Sequence, residues 1–347
     1  MPEIKQNKSR EFLTGAQTAV RACFDAGAGS MYGYPITPAT EIFTGWIKQG
    51  GKYLQTEDEI AAGFAICGAV LAGEKSFTAT AGPGTVLMQD AMSMAEGMRL
   101  PFVVIVAQRG GPSSGTVIYS QQEVTLACYG GNGEGLRLVY SPGSLEELYH
   151  FIRRAFNESW QYRFPAVVLT DGYLLKTRGA VMIDKNEFKN FTAEPIVQEG
   201  ANTHLENIHT LEEELFDKLK KYEQDYNKMS PLVASAEELE TNDAEILLIA
   251  HGSVGAAAQA AVKILRAQNI KVGLLRPTTL RPFPKNILDA RAQRAKKIII
   301  VESSFGQLAQ IVRAELQPEI STPIEYLQFP GLGVGPEVIV DFVSKLK

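Results

Sequence analysis

The sequence predicts an α/β protein made of two doubly wound parallel-sheet domains, the second smaller than the first. Two observations lead there. Short apolar runs such as "VVIVA" and "ILLIA" alternate with helical patterns, which is the signature of βαβ units and mainly parallel sheets. The 347 residues also exceed the usual size of one hydrophobic core, and a charged stretch poor in apolar residues, from about 178 to 240, divides the alternation in two.

The elements follow in order. In residues 1–178 the strands are "SMYGY" (Ser30–Tyr34), "SFTATA" (Ser76–Ala81), "PFVVIVAQ" (Pro101–Gln108), "LRLVYSP" (Leu136–Pro142) and "PAVVLTDG" (Pro165–Gly172). The third reads as a fully buried central strand. Helical patterns fill the intervals, among them "TVLMQDAMSMAEGM" and "LEELYHFIRRAFNESW". Residues 179–243 read as an interdomain connection. Its one clear element is an amphipathic helix that puts Leu211, Leu215, Leu219, Tyr222 and Tyr226 on one stripe, with Glu214–Lys218 and Asp217–Lys221 pairs on the wet side. Residues 244–347 form the smaller domain, with strands "EILLIA", "KVGLLR" and "KKIIIVES", each followed by a helix.

Composition narrows the function. A formal charge of −5 offers no basic footprint for nucleic acid. The polar start "MPEIKQNKSR" predicts no secretory signal, and no run of eighteen apolar residues predicts a membrane span. Cys23, Cys67 and Cys128 are odd in number and far apart, which fits free thiols in the cytoplasm. With no CxxC run and four scattered histidines, no metal site is expected on this chain.

Ligands of parallel α/β sheets bind beyond the carboxyl ends of the strands, so the turns there carry the functional reading. In "YGYPITPATE", Thr37 followed by Pro38 reads as a helix start, with a hydroxyl to cap and proline at the first helical position. The same helix N-terminus suits a carboxylate or phosphate. In "TEDEIAAGFAICGAVLAG", Thr56 and Glu59 have capping-box spacing, ahead of a helix that is apolar on all faces from Ile60 to Ala72. Glu59 is therefore buried or faces another subunit. Burial raises its pKa, the helix dipole lowers it, and the sequence leaves the balance open. Gly82–Pro83–Gly84 is either a tight turn or a place where a ligand approaches the backbone. Arg109 leaves the central strand ahead of "GGPSSG", and its fork suits a carboxylate. No GxGxxG or GxxxxGK[ST] occurs, which disfavours nicotinamide and P-loop readings.

Taken together, "GYPITPATE", "TEDEIAA", "TATAGPGTVLMQDA" and "QRGGPSSGT" resemble the α-subunit of thiamine-diphosphate-dependent 2-oxoacid:ferredoxin oxidoreductases. "LRPTTLRPFP" and "VESSFGQLAQIV" resemble that family's transketolase-C-terminal-type domain. The resemblance implies a pyrimidine-binding first domain, with thiamine diphosphate shared with a β-subunit that carries the diphosphate-binding domain. It also implies Mg²⁺ and iron–sulfur clusters in partner subunits of β and γ/δ type, coenzyme A as acyl acceptor and ferredoxin as electron acceptor. By motif, Glu59 hydrogen-bonds the aminopyrimidine, and Tyr34, Pro35, Ile36, Gly82 and Gly84 border the cofactor. Thr37 and Arg109 hold the substrate carboxylate, while Ser113 and Ser114 border its side chain. The loop after Arg109 blends two patterns. "QRGGPSSG" is nearer the 2-oxoglutarate enzymes, whereas "GTVIYSQQE" is nearer the branched-chain 2-oxoacid enzymes. Two other readings stand beside this one: a thiamine-dependent 2-oxoacid dehydrogenase subunit with a different acceptor, and a non-catalytic scaffold that kept the fold.

Overall fold

The structure is a computed structural model that describes residues 8–187, 189–198, 200 and 205–346. Residues 1–7, most of the polar start, lie outside the described residues. In chain order the strands are β1 (Lys8–Thr14), β2 (Ser30–Gly33), β3 (Lys52–Gln55), β4 (Ser76–Thr80), β5 (Val103–Gln108), β6 (Leu138–Tyr140) and β7 (Ala166–Asp171). There follow β8 (Arg178–Asp184), β9 (Ala236–Leu239), β10 (Ile246–Ile249), β11 (Val272–Pro277), β12 (Thr279–Arg281), β13 (Lys297–Glu302) and β14 (Ile324–Gln328).

The larger sheet has seven strands in the order β12-β6-β7-β5-β4-β2-β3, parallel from β6 to β3. The five apolar runs of the first domain supply five of these strands. Edge strand β3 is exposed at all four residues, so it lacks the apolar signal that marks a buried strand. Because β2 lies between β3 and β4, the chain reverses its direction of travel across the sheet there. Such a switch point opens a crevice at the carboxyl ends of the strands.

One face of this sheet packs on helices Gly15–Asp25, Thr40–Lys48 and Leu145–Tyr162 around Trp46, Phe77 and Phe156. The other face packs on helices Glu59–Leu71 and Gln89–Gly97, and its apolar cluster continues through Leu280 and Phe283 to Leu275, Ile298 and Ile300 of the second sheet. That sheet has the order β14-β13-β10-β11-β9, parallel except for β9.

Three strands cross the expected divisions. β8, nearly all of it within the stretch read as a connection, pairs antiparallel with β1 of the first domain. β9 arises within the stretch read as a connection and pairs antiparallel with β11. β12, part of "LRPTTLRPFP", joins the first sheet antiparallel to β6. The connecting helix spans Glu212–Val233. Its stripe divides: Tyr226 is buried with its hydroxyl donating to the Arg137 carbonyl at 2.8 Å, whereas Leu211 and Leu215 stay exposed. On its wet side Lys218 reaches Glu206 at 3.4 Å.

Candidate active site

Four adjacent strands, β5, β4, β2 and β3, send their carboxyl-terminal turns to one edge of the sheet. Those turns carry Arg109, Gly82 to Gly84, Tyr34 to Thr37, and Glu59. Strand order, not sequence order, makes them neighbours.

The turn after β2 departs from the expected helix start. The helix begins at Thr40 with Ala39 as its cap residue, and no side chain caps it. The Thr40 N–H instead bonds the Ile36 carbonyl at 2.9 Å, which closes a turn ahead of the helix. Thr37 is exposed, with Pro38 and Ala39 buried behind it, so its hydroxyl has no capping duty. Its carbonyl accepts a hydrogen bond from Arg109 Nη1 at 2.7 Å. Tyr34 is 42% exposed at the start of this turn, followed by half-buried Pro35 and Ile36.

The turn after β3 also caps differently. Asp58, not Thr56, is the N-cap, with its carboxylate accepting the Ala61 N–H at 2.8 Å. Thr56 donates its hydroxyl to the Asp58 carbonyl at 2.7 Å. Glu59 is thereby released from any capping box. It is only 4% exposed, and its Oε1 is buried with no hydrogen-bond partner among the described residues. Burial outweighs the helix N-terminus and pushes its pKa above the usual carboxyl range; the nearby Asp58 charge pushes the same way. Helix Glu59–Leu71 is not apolar-in on every face. Ile60, Phe64 and Gly68, four residues apart, line an exposed stripe.

After β4 the GPG segment opens a short helix, Pro83–Leu87, in place of a plain turn. Gly82 has φ of 53°, a left-handed conformation that favours glycine, and a Cβ there would meet Arg109 Nε at 2.7 Å. A Cβ on Gly84 would meet Thr80 Oγ1 at 2.1 Å and Glu59 Oε1 at 2.2 Å. Both glycines thus exist in contact with proposed site side chains.

Arg109 is 6% exposed at the end of the fully buried β5, and its Nε has no partner among the described residues. The loop beyond it is closed by the Thr116 N–H donating to the Gly110 carbonyl at 3.0 Å. Ser113 and Ser114 lie exposed in that loop, and Ser113 has a positive φ of 54°.

One residue with no role assigned from the sequence lies among these turns. Glu123, buried at 5% exposure, accepts the N–H of Gly82 with Oε1 and the N–H of Arg109 with Oε2, each at 2.9 Å. Its burial, too, raises its pKa. It stands at the end of "GTVIYSQQE", where an acidic residue after two glutamines carries no spacing signal.

The fold thus joins Arg109 to Thr37, Gly82 to Arg109, and Gly84 to Glu59, and leaves Tyr34, Ser113 and Ser114 on the exposed rim. An unpartnered buried carboxyl whose pKa is raised can share a proton with a ring nitrogen, and an arginine at a sheet edge can anchor a carboxylate. The orphaned Glu59 oxygen fits a hydrogen-bonding heterocycle such as the aminopyrimidine of thiamine diphosphate.

Known proteins resemble this chain over most of its length. Residues 21–246 match the family described as pyruvate flavodoxin/ferredoxin oxidoreductase, thiamine diphosphate-binding, and residues 244–333 match pyruvate:ferredoxin oxidoreductase core domain II. The chain is 32% identical to the 2-oxoglutarate synthase subunit KorA of Methanocaldococcus jannaschii, over 86% of this chain and 89% of that one. It is 31% identical to the ketoisovalerate oxidoreductase subunit VorB of Methanothermobacter thermautotrophicus, over 87% of this chain and 89% of that one. Among solved structures it resembles a 2-oxoglutarate:ferredoxin oxidoreductase from Magnetococcus marinus, with 2-oxoglutarate, coenzyme A and succinyl-CoA bound, at a TM-score of 0.85 and 28% identity. That likeness covers 97% of this chain and 65% of the longer neighbour.

Proposed function

The chain belongs to the pyruvate flavodoxin/ferredoxin oxidoreductase family, and from that premise we propose that it is the α-subunit of a 2-oxoacid:ferredoxin oxidoreductase. Its complex oxidatively decarboxylates a 2-oxoacid to the coenzyme A thioester and passes the electrons to ferredoxin. 2-Oxoglutarate is favoured over branched-chain 2-oxoacids, in keeping with the bound substrate of the structural neighbour and the KorA relative. The VorB relative keeps branched-chain acids on the substrate panel.

The observation that carries the proposal is the pairing at one sheet edge of an unpartnered, buried Glu59 oxygen with the Arg109–Thr37 contact. Thiamine diphosphate supplies the nucleophilic carbon and the electron sink that decarboxylation requires. Glu59 would hold the aminopyrimidine, sharing a proton with its ring nitrogen; burial favours that shared state over a free carboxylate. Gly84, which lies against the Glu59 carboxyl, would leave it room to face the ring, and Tyr34, Pro35, Ile36 and Gly82 would border the cofactor. Arg109 and Thr37 would orient the substrate carboxylate until its bond to the 2-oxo carbon breaks. Ser113 and Ser114, exposed in the loop beyond Arg109, would border the substrate's side chain.

The cofactor completes its site at a partner surface. The exposed Ile60 and Phe64 extend from Glu59 along its helix, and Val86, Leu87, Tyr53 and Leu54 add exposed apolar surface on the elements of the neighbouring turns. An apolar surface of this kind marks a protein interface. The occupant proposed is the β-subunit with the diphosphate and Mg²⁺; iron–sulfur clusters reside in the partner subunits, and the complex works in the cytoplasm.

The test is reduction of ferredoxin or methyl viologen by the purified complex, dependent on coenzyme A, with 2-oxoglutarate and 2-oxoisovalerate offered in parallel. Reduction with neither acid nor any other 2-oxoacid would overturn the proposal. Lipoyl reduction without viologen reduction would assign the dehydrogenase reading instead.

A further inference from the structure

We infer that Glu123 is a positioning residue for Arg109, acting through the main chain of the two turns that frame the site. The inference rests on the proposed role of Arg109 as carboxylate anchor and extends it to what holds that anchor.

The β4–β5 ladder ends at the Thr80–Val106 pair, short of both turns. Past that point the Glu123 carboxylate ties the Gly82 and Arg109 N–H groups together, one on each oxygen. These are charge-assisted bonds to backbone donors, stronger than a neutral side chain would make. An amide in the same place could accept only one of them, since its NH₂ is a donor. The tie matters because the Arg109 side chain rests on Gly82, close enough that a Cβ there would touch Nε. With its backbone held by Glu123 and its Nε end lying over Gly82, the guanidinium is directed toward the Thr37 carbonyl.

The second domain in turn holds the segment that carries Glu123. The Gln121 N–H donates to the Ser303 carbonyl at 3.1 Å, and the Ser303 N–H returns a bond to Gln121 Oε1 at 3.0 Å. Gln121 Nε2 reaches the His251 carbonyl at 3.0 Å. On the far side, Gln307 accepts the Thr125 N–H at 3.0 Å and donates to the Gln122 carbonyl at 2.8 Å. Glu123 is therefore fixed from both flanks by a domain that supplies none of the proposed site residues.

The experiment compares the assembled complex carrying Glu123→Gln, Arg109→Lys and both. Glu123→Gln is expected to raise KM for the 2-oxoacid about tenfold with kcat within about twofold, as displacement of an anchor does. The double variant is expected to show no higher KM than Arg109→Lys alone, because Glu123 acts through Arg109. Glu123→Asp, which keeps the charge but is one methylene shorter, is run beside it and should show the same KM-selective defect. A lowered melting temperature with unchanged KM in whichever of the two assembles, or independent multiplication of the two KM effects, overturns the inference. An unchanged KM in Arg109→Lys removes the reading beneath it as well, so the two failures are told apart.

Discussion

Arg109 Nη1 donates to the carbonyl oxygen of Thr37, 72 positions away in sequence, at 2.7 Å. The bond links the ends of β5 and β2 across the intervening β4. It uses the main chain of Thr37 and leaves the hydroxyl free, while Arg109 Nε keeps an unspent donor among the described residues. A planar fork can hold this bond and a substrate carboxylate at once; a lysine ammonium cannot match that geometry. Arg109→Lys should raise KM for the 2-oxoacid by about 10- to 100-fold, the worth of one charged hydrogen bond. Steady-state kinetics on the complex check this, and an unchanged KM takes Arg109 out of the site.

Glu59 is the residue on which chemistry and stability pull apart. Glu59→Gln should lower kcat by at least about a hundredfold, the usual scale for a proton-transfer group. The same change should stabilise the fold at neutral pH. A carboxyl whose folded pKa is raised contributes most below its ordinary pKa of about 4.3 and loses that contribution as pH rises through the folded value. At pH 7 to 8 the ionised, buried group is thus a cost that glutamine removes. Without thiamine diphosphate, the melting temperature of the variant should exceed wild type at pH 8 and converge with it at about pH 4. A variant less stable than wild type at pH 8 would contradict the assignment of burial as the dominant influence.

Gly84→Ala tests how closely the short helix approaches Glu59. Alanine is the better helix former by about 1 kcal/mol. Against that, its Cβ would lie 2.2 Å from Glu59 Oε1 and 2.1 Å from Thr80 Oγ1, and overpacking of this kind costs about 1–3 kcal/mol. The clash should win, lowering the melting temperature and weakening thiamine diphosphate binding at least about tenfold. Titration of the complex with the cofactor measures it, and wild-type affinity would show that the Glu59 carboxyl has freedom to move aside.

Phe64 is 37% exposed on the apolar stripe that starts beside Glu59. Phe64→Glu should leave the melting temperature of the isolated chain within about 1 °C, as surface changes usually do. It should abolish co-elution with the β-subunit, because an unpaired charge would be buried at the interface. Size-exclusion chromatography of co-expressed subunits decides the matter; retained assembly would place the β-subunit elsewhere.

Much of the candidate site was legible in the sequence: strand-end position singled out the turns, and the motif resemblance nominated Glu59, Arg109 and Thr37 in them. Their local duties were not. Thr37 and Thr56 both sit in good capping contexts, yet Ala39 and Asp58 occupy the cap positions. Propensity ranks candidates for a cap, whereas the packing of Pro38 and Ala39 decides where a helix can begin. The stripe of helix Glu59–Leu71 was hidden for a related reason: an all-apolar sequence cannot distinguish a face that meets its own core from one left open.

Periodicity and alternation in the sequence determined two parallel α/β sheets and the turns at which a ligand would bind, because buried parallel strands must be short continuous apolar runs. The tertiary structure alone decided which turns are neighbours. Strand order β5-β4-β2-β3 brings together residues far apart in sequence, such as Thr37 and Arg109 with 72 positions between their numbers, and the antiparallel β12 carries the second domain into the first sheet. Glu123 belongs to this second category. Its two bonds are to backbone N–H groups, which every non-proline residue offers, so no pattern of side chains announces them.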